Sequence, residues 1–198
     1  MKLKNTHENY GSIAKWIHWI TALLLLSSYA TIYYRRWFTE EKTPENWNVI
    51  QLHFAIGITL GVLVVLRIIW RMSNTQPTQE PGTKMEHLAA HLGHYALYAV
   101  MIIMPITGYF GTGAATDFFS MFEIPKFEDT ALFSYFVNDL LGMTFKEFES
   151  PMDFIHKDIL GKWLLWMLIV GHAGAAMYHH FIKKDRTFKK MTFDRNND

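Results

Sequence analysis

A chain of 198 residues with half of them hydrophobic, 16% aromatic and no cysteine excludes structural disulfides, thiolate zinc sites, cysteine-held iron–sulfur clusters and covalent haem attachment. A formal net charge of +1, with Lys and Arg scattered around apolar blocks, argues against a nucleic-acid partner. Any soft metal ligand must come from the ten histidines, with methionine a weaker candidate.

The first apolar block, from Ile13 to Ala30, has no small-residue cleavage site and runs on into Tyr33-Tyr34-Arg35-Arg36, which predicts a retained span instead of a signal peptide. Three more blocks approach the roughly 20 residues needed to cross a bilayer core. The predicted spans are 13–34, 49–70, 88–113 and 159–182, and Trp16, Trp19, Trp37, Trp47, Trp70 and Trp163 stand near their ends as interfacial anchors. Between the third and fourth spans, 114–150 carries Phe118, Phe119, Phe122, Phe133, Tyr135 and Phe136 and is expected to fold as a cap. Ser150-Pro151 followed by Asp153 reads as a helix start. The expected fold is all-α: a single integral-membrane four-helix bundle over 1–198.

Sorting Lys and Arg by side places twelve, from Lys2 to Arg195, on the face of the two tails and the 67–84 loop, against seven on the other face. By the positive-inside rule both termini are cytoplasmic and the long 114–150 loop is periplasmic.

Histidine is costly inside a span and calls for a partner. His18 lies about one turn inside the cytoplasmic end of the first span, and His172 is at similar depth on the fourth. His53, near the outer end of the second span, matches His156 near the outer end of the fourth. Two stacked pairs on facing helices are the usual way for a bundle to hold haem iron. Gly57 and Gly61 after His53, and Gly171 and Gly174 around His172, leave room for a macrocycle, although tight helix packing uses the same small residues. Arg35 and Arg36 outside, and Arg67 and Arg71 inside, are suited to propionate carboxylates. The competing reading makes the histidines hydrogen-bonded or proton-relay groups of a non-redox transporter or metal carrier.

Several strings resemble the bacterial cytochrome b561 family. They are Ser12-Ile13-Ala14-Lys15-Trp16-Ile17-His18-Trp19 on the first span and His53-Phe54-Ala55-Ile56-Gly57 on the second. On the third stand His91-Leu92-Gly93-His94, Leu97-Tyr98 and Pro105-Ile106-Thr107-Gly108. The fourth carries Gly171-His172 and His179-His180-Phe181-Ile182-Lys183-Lys184-Asp185. The resemblance implies a bacterial inner-membrane protein with two bis-His haems b: His18 and His172 ligate the inner one, His53 and His156 the outer one. It also implies a quinone site near the cytoplasmic haem. Family ligands on the fourth helix typically lie about 14 residues apart, nearly on one face. Here 16 residues separate His156 and His172, so in a regular helix they point about 160° apart. A bulge or loosened turn near Gly161 would absorb the excess.

The leading expectation is an oxidoreductase that takes electrons from a periplasmic-side donor, with superoxide a candidate, and delivers them to quinone. Histidine exchanges protons near neutral pH, which makes His179, His94 and His91 candidates for protonating quinone, with His179 preferred because it lies seven residues after His172. Arg35 and Arg36 would form the positive approach for superoxide. The alternative is a haem b anchor subunit that relays electrons for a dehydrogenase, a hydrogenase or a periplasmic cytochrome. An outer loop in which Asp117, Glu123, Glu128, Asp129, Asp139, Glu147, Glu149 and Asp153 outnumber Lys126 and Lys146 would suit a cationic partner.

Overall fold

A computed structural model describes residues 2–193, so Arg195 lies outside the described residues. Four helices are long and apolar enough to cross a membrane: α1 (Ser12–Phe38), α2 (Pro44–Ser73), α3 (Lys84–Phe110) and α4 (Phe145–Lys183). Their starts follow local chemistry. Thr43 caps α2 through the Asn46 amide, with Pro44 in the first turn. Thr83 and Glu86 cap α3 reciprocally.

The start of α4 differs from the sequence expectation. Thr144 and Glu147 form a complete capping box, so the helix begins at Phe145, and Pro151 falls inside it. Two amides satisfied together at Thr144 outweigh the single cap that Ser150 could provide. Pro151 has no N–H to give to the preceding turn, and the helix widens directly after it. It is π-helical over Phe154–Leu164, α-helical over Leu165–Tyr178 and π-helical again over His179–Lys183.

Successive helices pack side by side, and α4 closes against α1 and α3. The Tyr29 hydroxyl donates to the Gly161 carbonyl at 2.8 Å, which ties α1 to the π segment of α4. Val100, Leu160 and Leu165 form the central buried cluster, with Leu25, Tyr29, Leu97 and Met104 packed around it. Large apolar residues such as Leu23, Val62, Leu92 and Val170 are instead exposed. An outward apolar surface on long helices is what a lipid environment stabilises.

The connection at one end of the bundle forms a cap. An antiparallel hairpin, β1 (Thr116–Phe118) with β2 (Phe122–Ile124), pairs Thr116 with Ile124. Gln51 of α2 pins it: the side-chain amide donates to the Ala115 carbonyl at 3.0 Å and its oxygen accepts from the Asp117 amide at 2.8 Å. Phe127, Phe133 and Val137 then bury against Phe110, Phe145 and Phe148, with the Phe110 and Phe127 rings stacked at 4.2 Å. At the opposite end the tails and the α2–α3 loop interlock. The Thr78 amide donates to the His7 carbonyl at 2.8 Å, Trp19 Nε1 donates to the Met191 carbonyl at 2.9 Å, and buried Lys190 pairs with Glu80.

Candidate functional site: two histidine pairs

At the cap end, His53 of α2 and His156 of α4 face each other with ring centres 6.3 Å apart. Each ring is held from behind. His53 Nδ1 donates to the Ser28 carbonyl at 3.1 Å, with the Ser28 and Thr31 hydroxyls both 3.2 Å away. His156 Nδ1 donates to the Met104 carbonyl at 2.8 Å. A ring that donates through Nδ1 keeps its Nε2 lone pair free, and this is the second-layer arrangement that orients metal-binding histidines.

At the tail end, His18 of α1 and His172 of α4 have ring centres 6.2 Å apart, and His94 of α3 lies 5.5 Å from His172. His94 Nδ1 donates to the Ala90 carbonyl at 2.7 Å. Arg67 Nη2 donates to His18 Nδ1 at 2.9 Å. The Arg67 and Arg71 guanidinium groups both lie over the Tyr98 ring, at 5.5 and 5.9 Å, and Arg71 also donates to Gln76 at 3.2 Å.

These pairs fit haem. Two imidazole nitrogens that each held one iron at about 2 Å, with about 1 Å from nitrogen to ring centre, would put the ring centres about 6 Å apart. Among the described residues no group of three or more His, Cys, Asp or Glu could hold a bare metal ion, whereas haem iron needs only two protein ligands. Glycine makes space beside the rings: a Cβ at Gly57, Gly171 or Gly174 would meet nothing within 4 Å. Gly61 differs, since its Cβ would come 3.3 Å from Pro105, so it serves the close crossing of α2 and α3.

The 16-residue separation on α4 is resolved by the π segment. A turn with i→i+5 bonds holds about 4.4 residues, about 80° each, so half of the interval in this geometry brings His156 and His172 within about 20° of one face. Gly161 permits the wide turn, because a Cβ there would stand 2.8 Å from the His156 carbonyl oxygen.

Around the pairs, Arg35 Nε donates to buried Asn46 Oδ1 at 3.0 Å, and Arg36 is exposed. His91 is drawn to the Gln79 side chain at 3.0 Å and stacks on Tyr95, so it does not join the ring cluster of His18, His94 and His172. His179 bonds Asp185 at 2.5 Å.

Three contributors are hard to see in sequence. Gly108 makes room for a ligand candidate, since a Cβ there would press to 2.8 Å from His156 Cε1. Asn46 orients Arg35, and Tyr29 anchors Gly161. Helical spacing could have matched Gly108 to the depth of the cap-end pair, but nothing in the sequence marks Tyr29 as a partner of α4.

Known proteins are similar to this chain over nearly its whole length. The sequence profile of prokaryotic cytochrome b561 matches residues 9–194. Cytochrome b561 homolog 2 of Escherichia coli (strain K12) is 31% identical over 205 residues, covering 96% of this chain and 95% of that protein. Cytochrome b561 homolog 1 of the same organism is 29% identical, covering 89% of this chain and 92% of the relative. A protein of Yersinia pestis named probable superoxide oxidase CybB is 27% identical, covering 93% and 96% respectively. With its four long apolar helices, the chain belongs to the prokaryotic cytochrome b561 family of haem-binding, multi-pass membrane electron-transfer proteins.

Proposed function

We propose that this protein is a di-haem b oxidoreductase of the bacterial inner membrane. Its tails are cytoplasmic, its cap is periplasmic, and it passes electrons from a donor at the cap to quinone at the tail end. The observation that carries this reading is the pair of ring separations, 6.3 Å at one end and 6.2 Å at the other, on helices matched in depth. When bound, haem supplies the one-electron chemistry. His53 and His156 would hold the outer group, and His18 and His172 the inner one. The protein separates the two sites by about 20 to 24 Å along α4 and fills the interval with the Val100, Leu160 and Leu165 cluster, which keeps water out.

Arg67 has a defined part in loading the inner site. A guanidinium can only donate, so its bond to His18 Nδ1 leaves the ring proton on the other nitrogen. Ligation by that nitrogen needs Arg67 to turn away, and a propionate is the carboxylate that would draw it, with Arg71 beside it. Arg35 and Arg36 would serve the outer group or the approach of the donor. His94 and His179 would protonate quinone, and His91 would contribute only at the surface.

Superoxide is the donor that the Yersinia pestis relative's name suggests. Haem-loaded protein supplied with superoxide should reduce ubiquinone, and no quinone reduction would remove that donor. Replacing both Arg35 and Arg36 with Gln should slow the reaction about threefold to tenfold at low ionic strength, with the deficit shrinking as salt screens the field. An equal rate in the double variant would remove electrostatic steering.

One observation favours a protein donor instead. Lys126 is paired with Glu128 at 2.7 Å and stands 3.7 Å from Asp129. Lys126 thus adds little positive field to an acidic cap. Neutralising Glu123, Glu128 and Asp129 should impair electron delivery if the donor is a cationic protein.

A further inference from the structure

The end of α4 carries a device that electron transfer alone does not require. The π turn His179–Lys183 stops at Lys184, whose φ of +56° places a non-glycine residue in the left-handed region, a conformation that persists only where the surroundings enforce it. That turn folds the chain back so that the Asp185 amide reaches the His179 carbonyl at 3.2 Å and its carboxylate reaches His179 Nδ1 at 2.5 Å. The Thr187 amide donates to the other carboxylate oxygen at 2.8 Å, and the Thr187 hydroxyl stands 3.4 Å from His179 Nδ1. The carboxylate is 13% exposed and the imidazole 24% exposed, so the pair sits between solvent and the bundle.

We propose that Asp185 is a positioning residue that holds His179 as the proton donor for quinone, with Nδ1–H fixed on the carboxylate and Nε2–H free to leave. The inference rests on the quinone reading above. Reducing one quinone takes two electrons, delivered singly from the cap-side donor, and two protons. In each transfer the Nε2–H bond breaks and an O–H bond forms at a quinone oxygen. The ring is then reprotonated from water at the exposed tail surface, and Asp185 remains a carboxylate throughout.

Burial works to push the Asp185 carboxyl up, but the hydrogen bonds from His179 and Thr187 outweigh it and hold the group below the usual range, so it is ionised at neutral pH. Two neighbouring cations have partners of their own. Lys183 pairs with Glu86 of α3 at 2.7 Å, Arg186 donates to Asn9 at 3.1 Å, and Tyr178 meets the His179 ring only at its edge, 5.9 Å away. Asp185 is therefore the carboxylate that fixes the ring. Histidine donating one N–H to a carboxylate while the other nitrogen does the chemistry is a general arrangement for proton transfer.

The test compares haem-loaded wild type, Asp185→Asn, Asp185→Glu and His179→Gln with two acceptors, ubiquinone and a one-electron dye that takes up no proton. Asp185→Asn should lower kcat for quinone about tenfold at an unchanged KM, with dye reduction and haem content as in wild type, and Asp185→Glu should restore most of the rate. The double variant with His179→Gln should be no slower than His179→Gln alone, because the two residues act as one unit. Nitrogen-15 NMR of histidine-labelled protein should show a strongly hydrogen-bonded His179 Nδ1–H resonance in wild type that shifts in Asp185→Asn, whose neutral amide accepts more weakly than a carboxylate. An unchanged kcat, a parallel fall in dye reduction, or an Nδ1–H signal that does not move in Asp185→Asn would overturn the proposal. Failure of wild type to reduce quinone at all would instead overturn the reading on which it rests.

Discussion

Purified His172→Ala protein should contain about one haem where the wild type contains two, and its quinone reduction should fall at least about a hundredfold. His172 faces His18 across the tail-end site, and no other described residue forms a ring pair with both His18 and His94 on the opposite helices. Removing it leaves His18 without the ring it faces and opens a cavity, while His94 stays tied to the Ala90 carbonyl of its own helix. The cap-end pair has separate anchors, the Ser28 and Met104 carbonyls, so its haem should survive. His53→Ala should do the reverse, keeping the inner haem while losing the outer one and with it electron delivery from the cap side. Spectra of the two variants recorded at intermediate potentials should each show one component of the wild-type pair. If either variant keeps both components, the assigned pairing is wrong.

The second large effect is expected at Gly161. The wide turn over Phe154–Leu164 returns His156 to the face of α4 that carries His172, and the Gly161 backbone sits where a Cβ would come within 2.8 Å of the His156 carbonyl oxygen. Gly161→Val should push the turn away from that carbonyl, at a cost of about 1–3 kcal/mol typical of overpacking, and rotate His156 off Met104. The outer haem should be lost with the inner one retained. Tyr29→Phe removes only the hydroxyl that holds the Gly161 carbonyl at 2.8 Å, a loss of about 1 kcal/mol, and should lower outer-haem occupancy only partly. A Gly161→Val protein with two haems and unchanged midpoint potentials would show that the π geometry does not position the ligand.

The four spans were legible because length and apolarity alone decide them. Even so, α2 and α3 start earlier than their apolar cores, since capping by Thr43 and Thr83 extends helices into polar sequence, and α3 ends at Phe110, where the Gly111 amide turns back to the Thr107 carbonyl. The meeting of His18 with His172 and of His53 with His156 could be anticipated from depth, which is a one-dimensional property of the chain. Azimuth was not legible. Whether residues 16 apart share a face depends on where the hydrogen bonds shift from i+4 to i+5, and Pro151 and Gly161 indicate a loosened region without giving its extent. Asp185 behind His179 was hidden for a similar reason, because the contact depends on a left-handed Lys184 that no side-chain pattern announces. Local competition also defeated the Ser150-Pro151 helix start, where a reciprocal cap six residues upstream is the stronger nucleus.

The most direct measurement is haem b quantification on purified protein against protein concentration, combined with acidified-acetone extraction. The account predicts about two haems b per chain, all extractable, since no cysteine is available for covalent attachment. A reproducible value of one would remove the cap-end pair, beginning with His156, and a preparation lacking a Soret band would contradict the di-haem account altogether.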